Sequence, residues 1–387
     1  MDFIKQAFNV KHEFWRYLVG SLIIAIFAVI GQFPFAIAAM IKYVSNGGSI
    51  DAMDEQALMS VLEPNLNLFL LLLSFAFGFL GLIIVVKYLH NQTVKSVTTA
   101  RKKIDWKRVL FAFLFWGVIT STMILIDYFA SPESYVWNFE LNRFLILLVV
   151  AVLLIPIQTS LEEYIFRGYL MQGFGTVTTN KNFAYGFIFT IISMPIIIYL
   201  STKTNIEFWK RGGFIGILLV LGKIIFEVLQ KIDFFESTSY IKLSKALNRN
   251  WIPLIITSVI FGGMHVFNPE VGKLGYGVMV YYIGTGLFLG IITLMDDGME
   301  LALGFHAANN LFGALLVSAD WTVLQTHSVL KDVSEPGQGY GDIFIPVFVV
   351  FPILLIIFAK VYKWTNWKEK LFGTIEAPVT ENYKVLD

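Results

Sequence analysis

The chain has 387 residues, of which 56% are hydrophobic and 15% charged, with a formal net charge of +1. Soluble domains carry about 25% charged residues, so this composition excludes an ordinary soluble enzyme and favours an integral membrane protein. The near-zero net charge gives no reason to expect a nucleic-acid partner, and the absence of cysteine excludes disulfides, a thiol nucleophile and cysteine-held zinc.

Ten apolar segments are long enough to be membrane-spanning helices, which need about 20 mostly apolar residues. In chain order they are 17–41, 66–88, 109–130, 144–168, 183–200, 213–231, 251–268, 275–295, 299–319 and 343–362. The segments are continuously apolar, whereas strands of a membrane barrel would alternate. The sequence therefore predicts an all-α, polytopic membrane helix bundle of about ten spans, eight at least, with an active site inside the bundle.

The distribution of basic residues predicts the orientation of the bundle. Ten spans put both termini on one side, and that side collects most of the 29 Lys and Arg residues, including the cluster at 101–108. Cytoplasmic loops are enriched in Lys and Arg, so both termini are expected in the cytoplasm. The expected location is a bacterial cell membrane.

Three short polar clusters interrupt the apolar segments. Glu-Glu-x-x-x-Arg occupies residues 162–167, Phe-x-x-x-His occupies 261–265, and His-x-x-x-Asn occupies 306–310. Ionisable groups are expensive inside a membrane and are therefore candidates for function. Each cluster also has an ordinary interpretation: charges at a helix end, a core histidine, or interhelical hydrogen bonds. Together they supply a base, two imidazoles and an amide, which are the parts of a hydrolytic site.

Helical spacing separates the roles of the two glutamates. Glu163 and Arg167 are four residues apart and share a helix face, so they are expected to pair. Glu162 points about 100° away, has no local cation, and remains available as a base. The adjacent Gly262 and Gly263 are expected to let a neighbouring helix approach the second cluster closely.

In their order, these three motifs resemble the CPBP family of intramembrane proteases, which includes the CAAX proteases and the bacteriocin-processing (Abi) enzymes. The resemblance covers roughly residues 144–319 and implies an intramembrane endopeptidase similar to type II CAAX prenyl endopeptidases. It implies these roles: Glu162 activates water, His265 helps to bind or orient it, His306 and Asn310 stabilise the oxyanion, and Glu163, Arg167 and Phe261 support the site.

The resemblance also divides the chain. Residues 1–143 are expected to form an N-terminal three-helix membrane region, 144–319 the protease core, and 320–387 a C-terminal span with a short polar tail. The family's first two motifs usually lie closer together than Arg167 and His265 do. A helix pair inserted at about 181–248 is therefore expected.

A metal is the main alternative within the protease interpretation. The family was named as metalloproteases, and His265, His306 and Glu162 have the residue types of a zinc site with two His and one Glu. There is no His-Glu-x-x-His helix, so we favour water activated by glutamate without an obligatory ion. The expected partners are the lipid bilayer and a peptide or protein substrate, either membrane-embedded or lipidated.

Two other functions compete with proteolysis. The glutamates, Arg167 and the histidines suit a proton or ion relay in a transporter, and the same fold suits a catalytically silent immunity or scaffold protein. Outside the clusters, Lys223 and Glu227 are expected to neutralise each other. His12, His90 and His327 are expected to be solvated at the membrane edges.

Overall fold

The computed structural model describes residues 3–49, 61–202, 208–335 and 341–377, so the end of the predicted polar tail lies outside the described residues. Its helices are α1 (Phe14–Ser45), α2 (Pro64–Ile84), α3 (Val94–Thr98), α4 (Trp106–Ala130), α5 (Leu141–Glu163), α6 (Met171–Thr178), α7 (Phe183–Thr202), α8 (Phe208–Lys231), α9 (Thr238–Leu247), α10 (Trp251–Met264), α11 (Pro269–Leu274), α12 (Met279–Asp296), α13 (Glu300–Leu316), α14 (Gly341–Ile345), α15 (Phe351–Tyr362) and α16 (Trp367–Phe372).

Shorter elements precede or connect these helices, among them 3-10 helices at Ile4–Asn9, Pro132–Ser134, Phe234–Glu236 and Tyr276–Val278. π-helical segments at Val85–Leu89, Tyr164–Leu170 and Pro346–Val350 continue α2, join α5 to α6, and join α14 to α15. The strands β1 (Tyr135–Trp137), β2 (Val317–Ala319) and β3 (Leu330–Asp332) form a small sheet, in which β3 is central, antiparallel to β1 and parallel to β2.

Eight helical stretches of the described chain are long and apolar enough to cross a membrane. The predicted fold class is therefore confirmed: apart from the small sheet, the chain is a helical, multi-pass membrane protein. The other two predicted spans are shorter than expected, because α10 has 14 residues and α13 has 17. α10 does not continue to 268 as predicted: Asn268 is extended (φ −65°, ψ 144°), because Pro269 disfavours a helical conformation in the residue before it.

α13 is the centre of the bundle. It packs on α4, α5 and α12, and most of its residues are buried. A Cβ atom on Gly304 would collide with the carbonyl oxygen of Val109 in α4, so glycine is what lets these two helices approach. This packing places the third polar cluster deep inside the protein.

The two ends of the bundle differ in chemistry. The small sheet lies at the end where α4, α5 and α13 meet. At the opposite end, Arg101 bonds Asp296 at 2.7 Å and Glu300 at 2.9 Å, and Arg108 bonds Asp296 at 2.5 Å. Part of the basic cluster therefore neutralises two buried carboxylates at the turn between α12 and α13.

The two described ends of the chain lie close together at the charged end. Ile4 and Phe8 pack with Leu254, Leu294 and Ile375 in one buried cluster. The two described ends of the chain therefore share one end of the bundle.

The helix pair α7–α8 lies at the periphery. The two helices pack on each other through Tyr185 with Phe226 and Phe189 with Gly222. Only 11% and 6% of their apolar stretches is buried, against 61% for α12. Little of this pair is therefore packed against the rest of the protein.

The expectation that His90 is solvated is wrong. Its side chain is fully buried, with Nδ1 2.7 Å from the Lys11 carbonyl oxygen and Nε2 3.0 Å from the Tyr169 hydroxyl. The N-terminal segment folds back over the end of α2 and excludes water from the ring.

Candidate active site

A buried ion pair forms the base of the site. Arg167 Nη1 lies 3.0 Å from Glu163 Oε1, and the two side chains are 1% and 0% exposed. Arg167 also donates from Nη2 to the Gly286 carbonyl oxygen at 3.4 Å, and its guanidinium lies 4.1 Å from the centre of the Phe261 ring. The pairing predicted from the spacing is present, and it joins α5 to α10 and α12.

The backbone around this pair changes its helical form. α5 ends at Glu163, and Tyr164–Leu170 is π-helical before α6 begins. Such segments occur often at functional sites, where the extra residue redirects side chains. Arg167 thereby lies within the π-helical segment and still reaches Glu163.

The His306 imidazole lies between the two glutamates. Its Nδ1 is 2.7 Å from Glu163 Oε1, and its Nε2 is 3.5 Å from Glu162 Oε2. Because Glu163 is already paired with Arg167, its oxygen accepts and Nδ1 of His306 donates. Nε2 of His306 is therefore the ring nitrogen that faces Glu162. Glu162, expected to have no local cation, has this imidazole beside it.

Gln158 connects Asn310 to Glu162. Its Nε2 donates to Glu162 Oε1 at 2.6 Å, and its Oε1 accepts from Asn310 Nδ2 at 3.1 Å. Sequence reasoning missed Gln158. The signal was a polar residue in an apolar span, one helical turn before Glu162 and on the same face.

His265 stands beside this group and is separated from it by an aromatic ring. Its Nδ1 lies 2.8 Å from the Phe261 carbonyl oxygen, and its ring stacks on Tyr282 at 4.4 Å. The Phe261 ring is 4.8 Å from His265 and 6.1 Å from His306, measured between ring centres. Tyr282 is one turn from Gly286 along α12, so His265 lies about 6 Å nearer the sheet end than the ion pair.

The structure thus brings Glu162, Glu163, Arg167, His306 and Asn310 into one connected group and places His265 next to it. Lys223 and Glu227 are 3.9 Å apart on an exposed helix face, away from this group. His327 bonds Glu63 at 2.8 Å near the sheet end.

The residues predicted as zinc ligands do not form a common site. Within the part of the chain that the structure describes, no group of three or more His, Cys, Asp or Glu residues is arranged to hold a metal ion. His306 turns its two ring nitrogens towards the two glutamates, and Nδ1 of His265 faces a backbone carbonyl.

Comparison with known proteins places part of this site in a protease family. Residues 234–312 match the family model described as "Rce1-like: Type II CAAX prenyl endopeptidase Rce1-like". These residues form a CPBP-family domain. The CPBP domain contains His265, His306 and Asn310, whereas the Glu162–Arg167 motif precedes it. The family of CAAX prenyl endopeptidases implies a protease.

A likeness over nearly the whole chain comes from one bacterial protein. The chain is 24% identical over 361 residues to the uncharacterized protein YyaK of Bacillus subtilis (strain 168), covering 93% of this chain and 95% of that protein. Because the alignment covers 93% of this chain, it includes the Glu162–Arg167 region. The name of the relative states no activity. No solved structure matches the chain.

Proposed function

We propose that the protein is an intramembrane endopeptidase in which Glu162 activates a water molecule to attack a peptide bond. The supporting observation is the position of the His306 imidazole between Glu162 and Glu163, next to Asn310, in the buried centre of the bundle. Peptide hydrolysis needs a base for the water and hydrogen-bond donors for the developing oxyanion. Glu162 supplies the first, and His306 and Asn310 supply the second.

We propose a resting state for this group of side chains from the balance of its charges. Glu162, Glu163 and Arg167 together carry one uncompensated negative charge, which is expensive in a buried site. A proton on Nε2 of His306 makes the group neutral and gives that nitrogen an N–H to donate. Glu162 then remains ionised and is able to accept a proton.

The reaction follows from that state. Glu162 takes a proton from water as the water oxygen bonds to the carbonyl carbon, and the carbonyl electron pair moves to its oxygen. Nε2 of His306 and Nδ2 of Asn310 donate to this oxyanion. The carbon–nitrogen bond then breaks, and the proton held by Glu162 passes to the leaving amine.

His265 is proposed to bind the attacking water or the substrate. The Phe261 carbonyl can only accept, so Nδ1 of His265 donates to it. In the neutral ring this leaves Nε2 as an acceptor. Replacing His265 therefore removes an acceptor without disturbing the hydrogen bonds of Glu162.

Position within the bundle suggests where cleavage takes place. His306 lies about 9 Å along α13 from its start at Glu300, close to the charged end of the bundle. We place this end, with both termini, in the cytoplasm, because it collects the basic residues. We also propose that residues 144–319 form the protease core, with a helix pair inserted at about 181–248.

The proposed substrate is a membrane-embedded or lipidated peptide.

The test is cleavage of a fluorogenic farnesylated CAAX peptide, and of the same peptide without the lipid, by the protein in reconstituted vesicles. Glu162→Ala, His265→Ala and His306→Ala are each expected to lower the rate by about 100-fold or more. Glu227→Ala, which removes an exposed membrane glutamate away from the site, is the matched control. Parent-like cleavage by all three site variants would end the proposal.

A further inference from the structure

A chain of hydrogen bonds through three side-chain amides leads from Trp116 on α4 to Glu162. Trp116 Nε1 donates to Asn309 Oδ1 at 3.1 Å, and Asn309 Nδ2 donates to Asn310 Oδ1 at 3.1 Å. Asn310 Nδ2 donates to Gln158 Oε1 at 3.1 Å, and Gln158 Nε2 donates to Glu162 at 2.6 Å. The chain crosses three helices, because Trp116 is on α4, the two asparagines are on α13, and Gln158 is on α5.

The two ends of the chain fix its direction. An indole nitrogen only donates, so Asn309 must turn its oxygen to Trp116 and its nitrogen to Asn310. An ionised carboxylate only accepts, so Gln158 must turn its nitrogen to Glu162 and its oxygen to Asn310. Each amide therefore has one allowed orientation. Hydrogen bonds in such a chain polarise one another and strengthen the last donor, which acts on Glu162.

We propose that Trp116 and Gln158 are positioning residues that hold Asn310 with its nitrogen towards the reacting group, a role that rests on the proposed endopeptidase function. Asn310 Nδ2 has two hydrogens, and Gln158 accepts one of them. The other is available to an oxyanion. In the reversed orientation, Asn310 would present its oxygen and repel the oxyanion.

Trp116 suits a direct test because its indole N–H is the only part of the side chain that takes part in this chain of hydrogen bonds. Its ring stacks on Phe305 at 4.5 Å, and Trp116→Phe keeps an aromatic ring there while removing the donor. The expected result is a fall in kcat of about fivefold, the value of one hydrogen bond, with KM within about twofold. Trp321→Phe is the matched control, since the buried Trp321 Nε1 has no hydrogen-bond partner among the described residues.

Double-variant cycles separate positioning from a general structural role. If Trp116 acts through Asn310, Trp116→Phe has less than about a twofold effect on kcat in the Asn310→Ala background. If Trp116 only supports the fold, its fivefold effect persists there, and the proposal is overturned.

A second cycle uses thermal stability in detergent and needs no activity. The hydrogen bonds given above connect Trp116 with Gln158 only through the two asparagines. The Tm loss of Trp116→Phe with Gln158→Leu is expected to be smaller than the sum of the single losses. If the two Tm losses are strictly additive, the proposed positioning role is overturned, even if Glu162→Ala still abolishes cleavage. Coupled Tm values with no cleavage by the parent would instead reject the endopeptidase.

Discussion

Arg167 is the largest of the fully buried side chains, and its charge is balanced within one helical turn. Glu163 Oε1 accepts from both Arg167 and His306, so a single oxygen joins the structural pair to the proposed catalytic group. A buried ion pair adds little net stability, but removing one partner leaves a charge without compensation.

Arg167→Met is therefore expected to destabilise the protein by about 3–5 kcal/mol, because Glu163 is left buried and charged. The combined variant Arg167→Met with Glu163→Gln, in which no charge is stranded, should recover part of this loss. Thermal unfolding in detergent measures both. Lys223→Met breaks an exposed pair and serves as control. An equal loss in the single and combined variants would contradict the argument.

His90 makes stability depend on pH. Burial lowers its pKa from 6.5 to about 4, so the unfolded chain binds a proton before the folded protein does. Stability should be constant above about pH 6.5 and fall as the pH decreases towards 4, by roughly 3 kcal/mol in all. Tm measured between pH 7.5 and pH 4.5 tests this.

Two variants isolate the contribution of His90. His90→Asn should flatten the pH dependence of Tm, because the group that titrates only in the unfolded chain is gone. His12→Asn, at a partly exposed histidine nearby, should leave the pH dependence in place. If His90→Asn retained the full dependence, another group would be responsible.

For single residues, the sequence predicted side-chain contacts correctly where the two partners are close together in the chain. Glu163 and Arg167 are one turn apart, and helical periodicity alone pairs them. The contact between His306 and both glutamates links residues far apart in the chain, and only the packing of α13 on α5 creates it. His90 was mispredicted because nothing in its neighbourhood shows that residues 3–11 fold over it.

In helix α10, the adjacent glycines Gly262 and Gly263 differ in how closely another helix approaches them. A Cβ on Gly262 would lie 3.0 Å from the Ile283 backbone nitrogen, whereas a Cβ on Gly263 would meet nothing within 4 Å. The predicted close approach of a helix therefore depends on Gly262, with α12 as the neighbour. Helical periodicity gave no means of choosing between them.

Gly262→Ala should consequently destabilise the protein by about 1–3 kcal/mol, the usual cost of overpacking. It should also lower activity, since α10 and α12 both contact Arg167. Gly263→Ala adds the same methyl group to open space and should be neutral or slightly stabilising. Tm and cleavage rate are compared for the pair. Equal effects from both changes would show that α10 does not pack on α12 at Gly262.

The positions of the helices were predictable because apolar length determines a span, whereas two of their endings were not recognised. Asn268-Pro269 is a stop signal for α10 that hydropathy alone ignores. The π-helical segment at Tyr164–Leu170 has no comparable signal, since its residues are also compatible with an ordinary α-helix.

For the whole molecule, the charged end and the sheet end should face opposite sides of the membrane. The chain contains no cysteine, so any introduced cysteine is unique. Glu133→Cys, beside the sheet, should react with a membrane-impermeant maleimide in intact cells. Lys103→Cys, at the charged end, should react only after the cells are opened. The reverse pattern would invert the orientation and place the proposed site in the outer half of the bilayer.

The short α10 has a consequence for the lipid around the protein. Its 14 residues span about 21 Å, while the hydrocarbon core of a bilayer is about 30 Å thick. Ile255, Val259 and Met264 expose apolar side chains on this helix, so this face is open to lipid tails. Such hydrophobic mismatch is relieved by local thinning of the bilayer. We therefore expect a locally thinned bilayer beside α10, which would shorten the hydrocarbon path between water and the proposed site for a substrate segment.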